Sequence, residues 1–282
     1  MIPSTWTPER DSGEKRILGK VFPAGQTAPK DLADVVGLLT SHPNVGPFVS
    51  LRLIQHLVKS NPSPAYLARV AARFRSNGAG GVGDMKAVLK AVLLDAEARA
   101  GDDPARSRSD DGKIREPVLH RSAVFRALGC QGAANNYPGY DLSTQKPLRP
   151  ESVFSFYAPT DRAPGSNLLA PEQRLITASE LTERIGQLSW IRWNNDSQRN
   201  DRSAYVKAGC SLDGLVNAFA ASPRAFGDYL SRSFFRGAMP PTLRSNIAQL
   251  MSNPSWDVNV PDDGALRMLG YALATPYFGA IK

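Results

Sequence analysis

The chain has 282 residues, 42% hydrophobic and 21% charged, a balance that suits a folded core and excludes a disordered polar segment. Its net charge is +8 with no dominant Lys/Arg tract, so dedicated nucleic-acid binding is set aside. No apolar run reaches transmembrane length, and the opening MIPSTWTPERD shows no signal peptide.

Glycine and proline, 23 and 22 residues, divide the chain into many short elements. Residues 1–29 read as an extended edge. Lys15 to Phe22 alternates imperfectly between polar and apolar, which predicts a short hairpin turning near Gly19. Residues 30–40 predict a helix with Leu32, Val35, Val36 and Leu39 inward and Asp31 and Asp34 at its favourable end.

Residues 42–76 form the clearest unit, a helical hairpin. Phe48, Leu51, Ile54, Leu57 and Val58 recur at helical spacing and are expected on one buried stripe over 47–58. Ser60-Asn61-Pro62 ends that helix, because Pro62 restricts Asn61 and has no N–H to donate. Ser63 then caps a second helix over 64–76, with Pro64 at its first position. Tyr66, Leu67, Val70, Ala71 and Phe74 are its expected stripe.

The run NGAGGVG at 77–83 lacks the GxxxxGK[ST] pattern and reads as a connector, not a phosphate loop. Asp84 caps the next helix, with Met85, Val88, Leu89, Val92 and Leu93 inward. Residues 101–112 are a charged surface loop. Pro117 opens a helix with Val118, Leu119, Ser122, Phe125 and Leu128 inward and Gly129 as its stop.

Residues 130–171 are an aromatic-rich loop carrying Tyr137, Tyr140, Phe154, Phe156 and Tyr157, expected as a packed wrap. If the loop lines a cleft, Tyr157 and Arg162 are its ligand-facing polar groups. Helical periodicity returns over 172–193, with Leu175, Ile176, Leu181, Ile185, Leu188 and Trp190 inward, then over 212–221, 223–235, 241–251 and 265–275. The fold expected is mostly α, an irregular orthogonal multi-helix bundle with long loops and a short N-terminal β-hairpin, all within one helical domain over 1–282.

Few residues suggest chemistry. His42, His56 and His120 show neither the i,i+4 zinc spacing nor HExxH. A metal site would have to assemble in space, with Asp84, Asp95 or Glu116 adding carboxylates; no metal and no cofactor is expected. There is no G-x-S-x-G elbow. Cys130 and Cys210 are too few for a disulfide framework and are expected as separate buried thiols, a single bridge being the alternative. Lys113, Arg115 and Glu116, followed by Arg121 and Arg126, form the densest polar cluster. The two arginines lie about 140° apart around a helix axis, so they make no single anion stripe. Arg115 and Glu116 read as a structural clamp, with Arg115 donating to a carbonyl or carboxylate and pinning the preceding loop.

Several linked pieces carry a family resemblance. They include Gly13-Glu14-Lys15, His42-Pro43-Asn44-Val45, Ser60-Asn61-Pro62-Ser63-Pro64-Ala65-Tyr66, Arg69-Val70-Ala71, Gly83-Asp84 and Leu94-Asp95. Further along are Lys113-Ile114-Arg115-Glu116-Pro117, Arg149-Pro150 and Ala170-Pro171-Glu172. In order and spacing the chain resembles the bacterial DUF1800 domain family, over nearly its whole length and as that family's C-terminal half. Leu51-Arg52 departs from the pattern, since relatives often carry two polar or basic residues there. The resemblance implies a family of uncertain function, often exported, whose genes often neighbour those of the DUF1501 family.

The leading functional reading is a non-catalytic helical binding or scaffold module with a protein partner or self-association, a DUF1501-family protein being the partner the resemblance implies. The alternative is part of an exported hydrolase whose catalytic residues lie mainly in a missing N-terminal half. If a helical half that relatives carry upstream is missing, apolar side chains near Ile17, Phe22 and the first two helices are expected at the surface, where self-association or a partner chain would follow.

Overall fold

The computed structural model describes residues 10–103, 111–131, 145–146, 149–150, 152, 155–182, 184, 210–253 and 261–281. It is mostly helical, with a small N-terminal hairpin. By their contacts, residues 1–58 with 62–99 form one compact unit, and residues 59–61 with 100–282 form another.

The first unit opens with β1 (Lys15–Ile17) and β2 (Lys20–Phe22), paired antiparallel with Ile17 opposite Lys20. Leu18 and Gly19 between them both have positive φ, 49° and 79°, the conformation of a two-residue I′ turn. Then come α1 (Ala28–Ser41), α2 (Val45–Leu57), α3 (Pro64–Arg75), α4 (Met85–Leu94) and the short α5 (Ala96–Ala100). Capping follows the sequence: Ser63 Oγ accepts from Tyr66 N, and Asp84 accepts from the amides of Lys86 and Ala87. Arg69 Nε and Nη2 each donate to Asp95 at 2.7 Å, and Tyr66 Oη donates to the Val92 carbonyl. The core is Ile54, Tyr66, Val70, Phe74, Val88 and Val92.

Three apolar stripes bury less than their periodicity promised. On α2 the five expected residues span about 180° of helix surface. Only the middle is covered: Ile54 is buried, Leu51 and Val58 are half-buried, and Phe48 and Leu57 at the two edges are exposed. Small residues line the buried side, where Gly46 faces the Phe74 ring so closely that a Cβ would meet it at 3.2 Å. On α4, Val88 and Val92 are buried while Met85, Leu89 and Leu93 are exposed. On α1 the shortfall is largest: the helix buries no residue, Leu32, Val36 and Leu39, expected inward, are exposed, and Val35 is half-buried.

The second unit contains β3 (Lys113–Ile114), α6 (Pro117–Ala127), a 3-10 turn (Pro171–Leu175) and helical residues 178–182. After these come α7 (Asp213–Ala221), α8 (Pro223–Phe234), α9 (Pro241–Met251), α10 (Pro261–Ala274), α11 (Pro276–Gly279) and β4 (Ala280–Ile281). Strand β3 pairs antiparallel with β4, Lys113 opposite Ile281, tying the start of α6 to the far end of the unit. Val124, Phe125, Leu128, Leu215, Phe226, Leu230, Leu243, Ile247 and Leu269 belong to one core. On α6 the expected Phe125 and Leu128 are buried, but Val118 and Ser122 are half-buried and Leu119 is exposed. Polar His120 and Arg121 are buried instead, a placement that apolar periodicity has no means of indicating.

Helix α6 ends in a Schellman motif. Gly129 has φ +64°, its N–H donates to the Arg126 carbonyl, and the Cys130 N–H donates to the Phe125 carbonyl. The Ser211 N–H donates to the Leu128 carbonyl, which lays residues 210–211 alongside this helix end. Cys130 and Cys210, expected as separate thiols, are therefore side by side and joined as a disulfide. In the aromatic loop Phe156 and Tyr157 are half-buried, while Tyr137, Tyr140 and Phe154 fall outside the described residues, as do Ile185, Leu188 and Trp190.

Candidate functional site

The densest concentration of buried polar groups lies in the second unit, around the segment from Lys113 to Arg121. Lys59, Ser60, Asp111, Lys113, Glu116, His120, Arg121, Gln145, Glu172, Glu180 and Arg184 are all buried. Burying so many charges is unfavourable unless each is paired and hydrogen-bonded.

One half is centred on Lys113. Its Nζ is 3.0 Å from Glu172 Oε1 and 3.5 Å from Glu116 Oε1. Glu116 is further engaged on both oxygens: Tyr157 Oη donates to Oε1 at 2.6 Å, and Gln145 Nε2 donates to Oε2. Gln145 Oε1 in turn accepts from the Val118 N–H at 3.2 Å, inside the first turn of α6. Burial first, then the hydrogen bond and charge of Glu116, push the Tyr157 phenol well up, so it stays a donor. Ser60 Oγ donates to Glu172 at 3.4 Å, and Lys59 Nζ pairs with Asp111 at 2.7 Å. Asn61 brackets Leu169 with both ends of its amide, donating to the carbonyl at 2.9 Å and accepting from the N–H at 2.8 Å.

The other half is centred on Glu180. Arg184 Nε lies 3.1 Å from Glu180 Oε1, Arg121 Nη2 lies 3.9 Å from Oε2, and Arg184 Nη2 donates to the Arg115 carbonyl at 3.0 Å. His120 Nε2 sits 3.3 Å from the Leu273 carbonyl, and its ring meets Phe278 edge-on. Burial, then the Arg184 charge, push His120 down to about 3, so it is neutral at ordinary pH.

In the Lys113 half both carboxylates are engaged by partners within the network. A general base needs a lone pair aimed at a substrate proton. Both oxygens of Glu116 already accept hydrogen bonds, and Glu172 carries Lys113 and Ser60. This half joins residues 59–61, the start of α6, and the turns at 157 and 172. Glu116 is a clamp of the expected kind. Arg115 is not, because it holds through its backbone, with its N–H donating to the Gly279 carbonyl at 2.7 Å and its own carbonyl receiving Arg184. Its guanidinium rests 4.1 Å over the Phe278 ring.

The remaining candidates disperse. His42 is exposed, with Nδ1 accepting from the Asn44 N–H, and His56 is exposed on α2. Asp84 is a helix cap and Asp95 is the partner of Arg69. Among the described residues no three His, Cys, Asp or Glu side chains gather as a metal-binding group. Arg126 is exposed while Arg121 is buried, and Arg162 is exposed on a turn, its Nη1 donating to Asn167 at 3.2 Å. Sequence reading missed Ser60, Asn61, Gln145, Glu172, Glu180 and Arg184 as members of the network. Helix punctuation explained Ser60 and Asn61 locally, and their partners lie more than a hundred residues away.

Against known families, a model described as "Protein of unknown function (DUF1800)" matches residues 5–280. The chain belongs to the DUF1800 family. The match gives no support to the expectation of a C-terminal half alone, since nearly the whole chain is taken up in it. No curated protein and no solved structure gave a match. Several pieces that carry the DUF1800 resemblance meet in the network: Ser60 and Asn61, Lys113 and Glu116, and Glu172. Two more, Arg69 and Asp95, meet in the first unit.

Proposed function

We propose that this DUF1800 protein is a non-catalytic helical binding module. The observation that carries the reading is α1. Leu32, Val36 and Leu39 recur at i, i+4 and i+7 and share one face, yet all three are exposed, between 45% and 49%, on a helix that buries nothing. An apolar face of this kind is the usual form in which a helix meets a protein partner. Phe22, expected at the surface, is buried and Ile17 is half-buried, but Leu18 and Val21 on the hairpin and Phe48 on α2 are exposed apolar surface within the same unit, and Arg52 lies 5.4 Å over the Phe48 ring. The engagement of both carboxylates in the Lys113–Glu116–Glu172 cluster supports a scaffold role over a hydrolytic one. The disulfide favours an oxidising compartment, outside the cytosol.

The test is the combined substitution Leu32→Gln, Val36→Gln and Leu39→Gln, at three positions where little burial is lost. Light scattering across concentration reads self-association, and co-purification reads binding to a DUF1501-family protein. The wild-type chain is expected to associate in at least one assay, and the triple variant in neither, with unchanged melting. Loss of association in neither assay, or no association by the wild type, overturns the proposal.

A further inference from the structure

Arg115, stacked on Phe278, has the charges of Arg236 and Arg184 acting on it. Arg121 and Arg184 share Glu180. Arg236 reaches the exposed Asp102 at 3.8 Å and donates to the Gly101 carbonyl at 3.3 Å. Arg115 has no carboxylate partner among the described residues, and its Nη1 is buried without a hydrogen-bond acceptor. Burial opposes its charge, and the charges of Arg236 and Arg184 add to that, so it is pushed down to about 10. His120 is neutral and contributes no counter-charge.

The Phe278 ring offsets this only in part. A cation over an aromatic face is modestly stabilised. A buried N–H without an acceptor is destabilising, and the like charges add to it. Arg115 is half-buried, with the stacked face of its guanidinium covered by Phe278. A planar fork of donors held flat against a ring suits a ligand with two oxygens arriving in the plane.

We propose that Arg115 is the anchor of an oxyanion site, with Arg184 and Arg236 supplying the surrounding positive potential, and that it takes a carboxylate or phosphate group. The Phe278 ring fixes the plane of the fork, and the Arg184 hydrogen bond to the Arg115 carbonyl fixes its backbone. The site is independent of the α1 face and of any partner bound there.

The full-length, disulfide-bonded chain is titrated with inorganic phosphate and, separately, with acetate. Sodium chloride at matched ionic strength is the control, and thermal melting is the readout. One of the two anions is expected to raise the melting temperature of the wild type and of Arg126→Gln, but not that of Arg115→Gln, while Arg115→Lys retains a smaller shift. Which anion acts identifies the ligand as phosphate-bearing or carboxylate-bearing. No shift beyond chloride with either anion, or an equal shift in Arg115→Gln, overturns the site. If Arg115→Gln does not fold, phenylglyoxal modification of the wild type read by peptide mass decides. Protection of Arg115 by the anion, with Arg126 still modified, supports the site, and equal modification with and without the anion overturns it.

Discussion

Lys113 Nζ lies 3.0 Å from Glu172 Oε1, and both side chains are almost wholly removed from solvent. The pair joins β3, which leads into α6, to the 3-10 turn that ends the aromatic loop. Removing Lys113 leaves Glu172 buried without its cation, and removing Glu172 leaves Lys113 with the longer contact to Glu116 at 3.5 Å; breaking a buried pair in this way costs about 3–5 kcal/mol. Lys113→Met and Glu172→Gln are each expected to lose stability of that order in urea unfolding. The double replacement Lys113→Met with Glu172→Gln is expected to lose less than the two single changes added together. Additive losses would show that the two groups do not act as a pair.

Helix α2 and helix α3 separate periodicity from burial. Phe74→Ala removes a ring packed in the first unit's core and is expected to cost about 3–5 kcal/mol. Leu57→Ala removes a side chain that is 44% exposed at the edge of its stripe, and is expected to cost about 1 kcal/mol or less. Denaturant melts of the two variants test the difference. Equal losses would place Leu57 in the core and contradict the exposure found for it.

These contrasts show what a sequence carries and what it does not. Helix bounds were legible because caps and breakers act within a few residues. Ser63, Pro64, Asp84 and Gly129 each do locally what their type does anywhere. Which flank of a stripe is covered depends on a neighbour's position, so Phe48 and Leu32 read as buried and are not. The polar network was half legible. Lys113, Arg115 and Glu116 drew notice by density alone. Glu172, Glu180 and Arg184 sit in an ordinary amphipathic pattern, where charge reads as solvated surface, and only the chain's return past α6 buries them.

The Cys130–Cys210 bond closes a loop of 80 residues. In the chain-entropy account a loop of that size stabilises by about 4 kcal/mol, through restriction of the unfolded chain. Reductant is expected to lower the urea midpoint of the wild type and leave Cys130→Ser, already lowered, unaffected. Cys210→Ser is expected to match Cys130→Ser. A wild-type midpoint indifferent to reductant would show that the bond does not restrict the unfolded chain.

His120 gives the stability a pH dependence of defined sign. Its ordinary pKa is 6.5, and in the folded chain burial and the Arg184 charge hold it down to about 3. Between those values the unfolded chain takes up a proton that the folded chain refuses. The contribution is therefore complete above 6.5 and is lost as pH falls toward the folded value, at on the order of 1.4 kcal/mol per pH unit. Carboxylates held below their ordinary range, such as Asp95 through Arg69, also lose stability in acid, but at lower pH. His120→Gln separates the two effects, because glutamine keeps a donor for the Leu273 carbonyl and does not titrate. Urea unfolding of both proteins from about pH 7 to about pH 4.5 is the measurement. The wild type is expected to lose stability faster than the variant across that window, so that their difference changes steadily in the variant's favour. Parallel curves would mean that the imidazole accepts its proton as readily folded as unfolded, and that the cationic surroundings of Phe278 do not act on it.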